Sequence, residues 1–129
     1  MDSNGEYPKR FPAPIQAYDI HVYFYQTDPE QVTSIQELHR LLGRTFPKLQ
    51  LFPICQRPVG PHVTGMFQGI LTTPAEFGVV VPWLTLNRRG HSILVHPHTG
   101  DELRDHGPNA IWLGDRLPIN FSILERFAH

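Results

Sequence analysis

The sequence predicts an α+β fold of the ferredoxin-like, split βαβ kind: a four-stranded antiparallel sheet with two helices on one face, plus a C-terminal extension. Three observations predict it. Aromatic and β-branched residues alternate with polar ones in short runs, as in half-buried strands. Two segments open with a capping residue and a proline, then carry apolar residues at helical spacing. The order of the segments is strand, helix, strand, strand, helix, strand. In that topology the spatial order of the strands is fourth, first, third, second, so the first strand lies inside the sheet.

Ala17 to Tyr25 is the first strand, with Ile20, Val22 and Phe24 on one parity and Asp19, His21, Tyr23 and Tyr25 on the other. Asp28 caps the first helix, Pro29 takes its first position, and Gln31 is placed to reach back to the cap. Val32, Ile35, Leu38, Leu41 and Leu42 follow at helical spacing, and Gly43 is a natural stop that Arg44 to Phe46 can extend. Leu49 to Ile54 is the second strand, ended near Pro53, and His62 to Leu71 is the third. Thr73-Pro74-Ala75-Glu76 is a capping box for a second helix, which Pro82 is expected to kink or break. His91 to His96 is the fourth strand. A long polar loop from His98 to Asn109 follows, then Ala110 to Leu113, and a last strand is placed at Ile119 to Leu124. Residues 1–16, with Pro8, Pro12 and Pro14, read as a flexible lead-in, and residues 17–129 as a single domain.

Composition excludes several classes. The chain has 129 residues, 18% of them charged, and a formal net charge of −1, so it is not a polybasic nucleic-acid binder. No apolar run approaches the roughly 18 residues a membrane span needs. The lone Cys55 allows no internal disulfide and no cysteine-rich zinc site. With no signal-peptide layout at the N-terminus, the expected compartment is the cytoplasm. Histidine is the anomaly: 8 residues, against 11 for Lys and Arg together.

Strand parity gives those histidines a direction. Ile20, Val22 and Phe24 face the helices, so His21 points to the open face of the sheet. Val63, Phe67 and Leu71 form the apolar set of the third strand, which leaves His62, Thr64, Met66 and Gln68 on the open face. Ile93 and Val95 point inward on the fourth strand, and His96 outward. A lone strand histidine is ordinarily a half-buried polar residue. Three on one face, His21, His62 and His96, form a candidate metal site, since neutral imidazole suits zinc, iron and copper. The adjoining segment supplies His98 and His106 as candidate acid–base groups and Arg104 as a bidentate anchor for a substrate carboxylate. His39 and His129 are read as solvated.

Tyr18-Asp19-Ile20-His21-Val22-Tyr23-Phe24, Gly60-Pro61-His62, His96-Pro97-His98-Thr99-Gly100-Asp101, Arg104-Asp105-His106 and Trp112-Leu113-Gly114 resemble, in order and spacing, the DOPA 4,5-dioxygenase family. The resemblance covers about Tyr18 to Gly114. It implies extradiol, ring-cleaving dioxygenase chemistry on DOPA or a related catechol, with non-haem iron(II) and O2, in a small and commonly dimeric protein. It falls on His21, His62, His96 and His106; the position of His98 varies in the family and is often Asn. On this reading His21, His62 and His96 are metal ligands, with zinc as the alternative ion, and His106 and His98 are catalytic. Arg104, Tyr23 and Tyr25 bind the substrate. The carboxylate that often completes an iron(II) site is missing, because neither Asp19, Asp101 nor Glu102 stands out, and an all-histidine or water-completed site is expected. The partners expected are a small aromatic substrate, O2 and a second copy of the chain, with no nucleic acid and no membrane. Two other readings remain open: a non-catalytic small-molecule binding module of the dimeric ferredoxin-like type, and a zinc-dependent hydrolase on the same face.

Overall fold

The computed structural model describes residues 5–126. His129 lies outside them. The elements in chain order are β1 (Tyr18–Phe24), α1 (Pro29–Thr45), β2 (Gln50–Leu51), β3 (Gly65–Leu71), α2 (Pro74–Asn87), β4 (Ile93–Pro97), α3 (Glu102–His106), β5 (Ile111–Leu113) and α4 (Phe121–Glu125). They form one antiparallel sheet in the order β2-β3-β1-β4-β5 with α1 and α2 on one face. The expected order of four strands is present, and β5 adds a fifth at the β4 edge.

The predicted parity holds along β1 and β4. Ile20, Val22 and Phe24 meet Ile93 and Val95, together with Ile35, Leu38 and Leu42 of α1 and Val80 and Leu84 of α2, in one buried core. Gly65 lies against this core where the chain passes closest to Phe24. A Cβ there would stand 2.8 Å from two Phe24 ring carbons and 3.0 Å from the Cys55 carbonyl oxygen. Gly65→Ala is therefore expected to destabilise the fold by about 1–3 kcal/mol through overpacking. A lower urea midpoint with an unchanged m-value checks this; an unchanged midpoint contradicts it.

Several elements depart from the sequence expectations, each for a local reason. The second strand shrinks to Gln50–Leu51. Pro53 has no N–H for the ladder, and pairing resumes only at the Cys55–Met66 bridge. The third strand begins at Gly65, not His62, because its partner β1 ends at the Phe24–Gly65 pair and the chain turns away into α1. Val63, expected inside, is exposed. Gln31 does not return to its helix cap; its Oε1 accepts the Tyr25 N–H at 2.7 Å. Pro82 does not break α2. The bond it forgoes would go to Gly78, and both residues lie on the exposed side, where water can satisfy that carbonyl. The polar loop after β4 contains α3, capped by Asp101, whose Oδ1 accepts the Arg104 N–H at 3.1 Å. Ile119–Leu124 is not a strand: Ile119 makes one bridge to His62, and Phe121–Glu125 is helical, a short apolar run fitting either period. His39 is half-buried rather than solvated, with its Nε2 2.8 Å from the Phe52 carbonyl oxygen.

The face opposite the helices is not left free. The segment after β5 returns over it within the same chain: the Asn120 N–H donates to the Pro61 carbonyl at 2.8 Å. Trp112, Leu117 and Ile119 pack on Tyr23, Met66 and Leu94 there. Among the described residues no helix is long and apolar enough to cross a membrane.

Candidate metal centre on the open face

Antiparallel register sets Asp19 of β1 directly opposite His96 of β4, and His21 between Gln68 of β3 and Leu94 of β4. Directly opposed residues share a face, so Asp19, His21, Gln68 and His96 converge. His62 arrives from the loop before β3, and His106 from α3. Asp19, His21, His62, His96 and His106 are each no more than 7% exposed. The four rings follow one another closely: centroids lie 4.2 Å apart for His62–His21, 5.1 Å for His21–His96 and 4.1 Å for His96–His106.

The polar atoms of this cluster lie close enough to share an ion. His21 Nε2 is 3.1 Å from His96 Nε2, and Asp19 Oδ2 is 3.7 Å and 3.5 Å from those two atoms. The circle through the three atoms has a radius of about 2.0 Å, close to an ordinary metal–ligand bond length. Ring nitrogens of His21, His62 and His106 make a second group within 4.8 Å of one another. His21 Nδ1 is buried with no hydrogen-bond partner among the described residues, an uncommon state for a buried polar atom.

Hydrogen bonds around the cluster fix most of its rings. His96 Nδ1 donates to the Pro97 carbonyl at 3.0 Å and His106 Nδ1 to the Glu102 carbonyl at 2.9 Å. Each bond leaves a free lone pair on Nε2. Asp19 Oδ2 accepts from Gln68 Nε2 at 2.9 Å, and Asp19 Oδ1 lies 2.8 Å from His98 Nε2. His62 Nδ1 pairs with the Tyr23 hydroxyl at 2.7 Å, and the Tyr23 ring stacks on Trp112. Asp105, itself buried, accepts from the Thr99 backbone N–H and hydroxyl and from Asn109 Nδ2, which pins α3 to the exit of β4 and holds His106 in place.

The structure thus brings together His21, His62, His96 and His106, with His98 at the rim, its side chain 37% exposed. It groups His106, rather than His96, with His21 and His62. It also places a carboxylate in the cluster, Asp19, where an all-histidine or water-completed site was expected. The available signal was its parity with His21; its facing of His96 depends on a register that sequence does not specify. Arg104, Tyr25 and Tyr23 stand differently from expectation. Arg104 is two residues from His106 on one helix, roughly 200° around its axis. It lines an open cavity of about 560 Å³ with Tyr18 and Pro97, which have helix-side parity, and with Thr99 and Asn109. Tyr25 is exposed beyond the end of β1, in a small cavity of about 110 Å³ with Gln31 and Asp115. Tyr23 is buried with its hydroxyl spent on His62. His91 is buried too, away from this cluster, between Ser34 and the Tyr23 carbonyl.

Burial, reinforced by repulsion among neighbouring imidazoles, favours the neutral form of His21, His62 and His96. It holds His21 well below the ordinary imidazole value and lowers His62 and His96 to about 4. His98 moves the other way, raised by its hydrogen bond to Asp19. The unfolded chain binds protons at His62 and His96 from about pH 6.5 downward, and the folded chain only near 4. Their contribution is therefore complete above about pH 6.5 and is lost as pH falls toward 4, on the order of 3 kcal/mol for each of His62 and His96. His98 offsets part of this, since its own contribution is present at low pH and lost on raising it. Urea unfolding of chelator-treated protein is expected to show a midpoint that drops between pH 7.5 and pH 4.5. A flat or rising midpoint contradicts the burial of neutral rings.

A ferredoxin-like sheet that carries a buried cluster of imidazoles and one carboxylate opposite its helices defines a class of small α+β proteins whose sheet face offers donors that could hold a metal ion. Residues 18–123 match the sequence model of the Dopa 4,5-dioxygenase family, and the chain belongs to that family. It is 41% identical over 117 residues to an uncharacterized 21.2 kDa protein of Botryotinia fuckeliana, covering 85% of this chain and 64% of that one. It is 34% identical over 116 residues to the DOPA 4,5-dioxygenase of Amanita muscaria, covering 85% of this chain and 50% of that one. The chain thus spans 50–64% of the length of these curated relatives. A crystal structure from Nostoc punctiforme, provisionally described as a dioxygenase, superposes with a TM-score of 0.80 at 39% identity, covering 88% of this chain and 95% of that one.

Proposed function

We propose that this chain is an extradiol ring-cleaving dioxygenase acting on DOPA or a related catechol with non-haem iron(II) and O2. The observation that carries the reading is the convergence of His21, His96 and Asp19 on a circle of metal-bond radius, beside two further buried imidazoles, in a member of this family. The donor set fits the ion. Two histidines and a carboxylate with open positions suit non-haem iron(II), and here the carboxylate is already turned toward both imidazoles. Asp19, His21 and His96 would hold it. When bound, iron(II) supplies neighbouring positions at which a catecholate and dioxygen are held together.

The remaining residues act on substrate. The His106 Nε2 lone pair, exposed to the cluster by the Nδ1 bond to Glu102, accepts the proton of a catechol hydroxyl. His98, at the rim against Asp19, is placed to act as the acid that assists ring opening. Burial of the four rings excludes water from the reacting atoms and protects the ring-opened product from side reactions. Arg104 lines a cavity with Tyr18 and Pro97 rather than with the cluster, so a substrate carboxylate finds no cation from it beside the histidines.

Oxygen uptake by iron(II)-reconstituted protein with DOPA or caffeate tests the reading. The expected result is catechol-dependent uptake with a yellow product, abolished by a chelator. Catechol binding that a chelator leaves untouched, without oxygen uptake, would instead identify a binding module. Activity restored by zinc toward an ester or amide would identify a hydrolase.

A further inference from the structure

We propose that Tyr23 locks His62 as the Nε2–H tautomer, so that His62 stays off the metal ion and acts as a neutral hydrogen-bond donor to a substrate-derived oxygen. The inference rests on the metal-dependent reading above and assigns His62 and Tyr23 roles different from ligand and substrate contact.

Tyr23 is 2% exposed, and among the described residues the hydrogen bond of its hydroxyl goes to His62 Nδ1 at 2.7 Å. A buried hydroxyl proton needs an acceptor, and this ring nitrogen is the one in reach. A phenol hydroxyl carries its proton near neutral pH, so Tyr23 is the donor in this bond. A ring that accepts at Nδ1 while neutral must carry its hydrogen at Nε2. A nitrogen that bears hydrogen has no lone pair for a metal. His96 and His106 show the opposite arrangement, since each donates from Nδ1 to a backbone carbonyl and keeps Nε2 free.

Position gives that N–H a task. The His62 ring lies 4.2 Å from the His21 ring and 6.2 Å from the His106 ring, so it borders both the would-be metal and the base. A neutral imidazole N–H in a dry site stabilises charge that develops on oxygen, without giving up its proton. Trp112 stacks on Tyr23 and fixes the plane from which the hydroxyl donates. Tyr23 is thus a positioning residue that acts through His62.

The test needs no variant for its first part. Imidazole ¹⁵N shifts of the zinc-loaded wild-type chain are expected to show His62 protonated at Nε2, and zinc-dependent shifts at His21 and His96. A His62 protonated at Nδ1, or shifted by zinc as strongly as His96, overturns the proposal. In the second part, cobalt(II) titration of His62→Gln is expected to stay within about threefold of wild type, while kcat falls about 100-fold. Tyr23→Phe is expected to lower kcat about 10-fold at unchanged KM and cobalt affinity, and to release His62 into a mixture of tautomers. Loss of cobalt binding in a folded His62→Gln protein overturns the proposal but leaves the enzyme reading standing. Failure of the wild-type chain to bind either metal overturns both.

Discussion

His96→Gln is expected to lose iron and, with it, ring cleavage. The His96 Nε2 lone pair is freed by its Nδ1 bond to Pro97 and directed at His21 Nε2 and Asp19 Oδ2. Partners that only support ligands cost about 10–100-fold in metal affinity when removed, so loss of a ligand is expected to cost at least about 100-fold. Iron content after anaerobic reconstitution and gel filtration measures this, with circular dichroism to confirm the fold. Glutamine removes a buried ring that is neutral near pH 7, so the apo fold is expected to persist. A His96→Gln protein that retains stoichiometric iron contradicts the assignment of Asp19, His21 and His96.

The second large effect is at His106. His106→Gln is expected to leave iron affinity within a few-fold of wild type and to lower kcat by about 10²–10⁴-fold, the usual contribution of a positioned general base. The drop should shrink as the substrate's own ionisation supplies the catecholate, so a more acidic nitrocatechol is expected to lose less rate than DOPA. An iron content that falls with the activity would make His106 a ligand, joined to His21 and His62 in the alternative group. An equal loss for both substrates would deny it the role of base.

These effects trace back to features of the sequence that were legible to different degrees. Parity along β1 and β4 is enforced by Ile20, Val22, Phe24, Ile93 and Val95, all fully or almost fully buried, so the outward direction of His21 and His96 could be read from the chain. His62 joined the same face for a reason parity does not contain. It lies before β3, where the ladder has ended, and is carried by a loop bridged to Ile119. Asp19 shares the parity of His21 and was visible as a neighbour, yet its role depends on facing His96 across the sheet, and register is a property of pairing that the alternation leaves open. Arg104 illustrates the opposite failure. A loop would leave it free to turn toward substrate, but the Asp101 cap makes α3 a helix, and a helix that buries His106 sends Arg104 elsewhere. The Tyr23–His62 bond joins residues 39 apart in sequence, and no local pattern announces it.

The most direct test of the central claim follows the oxygen atoms. The purified chain, reconstituted anaerobically with iron(II), is given DOPA in isotopically labelled dioxygen, and the product is analysed by mass spectrometry and absorbance. One dioxygen is expected to be consumed per DOPA, with both labelled atoms entering a yellow ring-opened product, one in a new carboxylate and one in a new aldehyde at the two ends of the broken ring bond. Absence of uptake, or a product whose aromatic ring is intact, would contradict the claim.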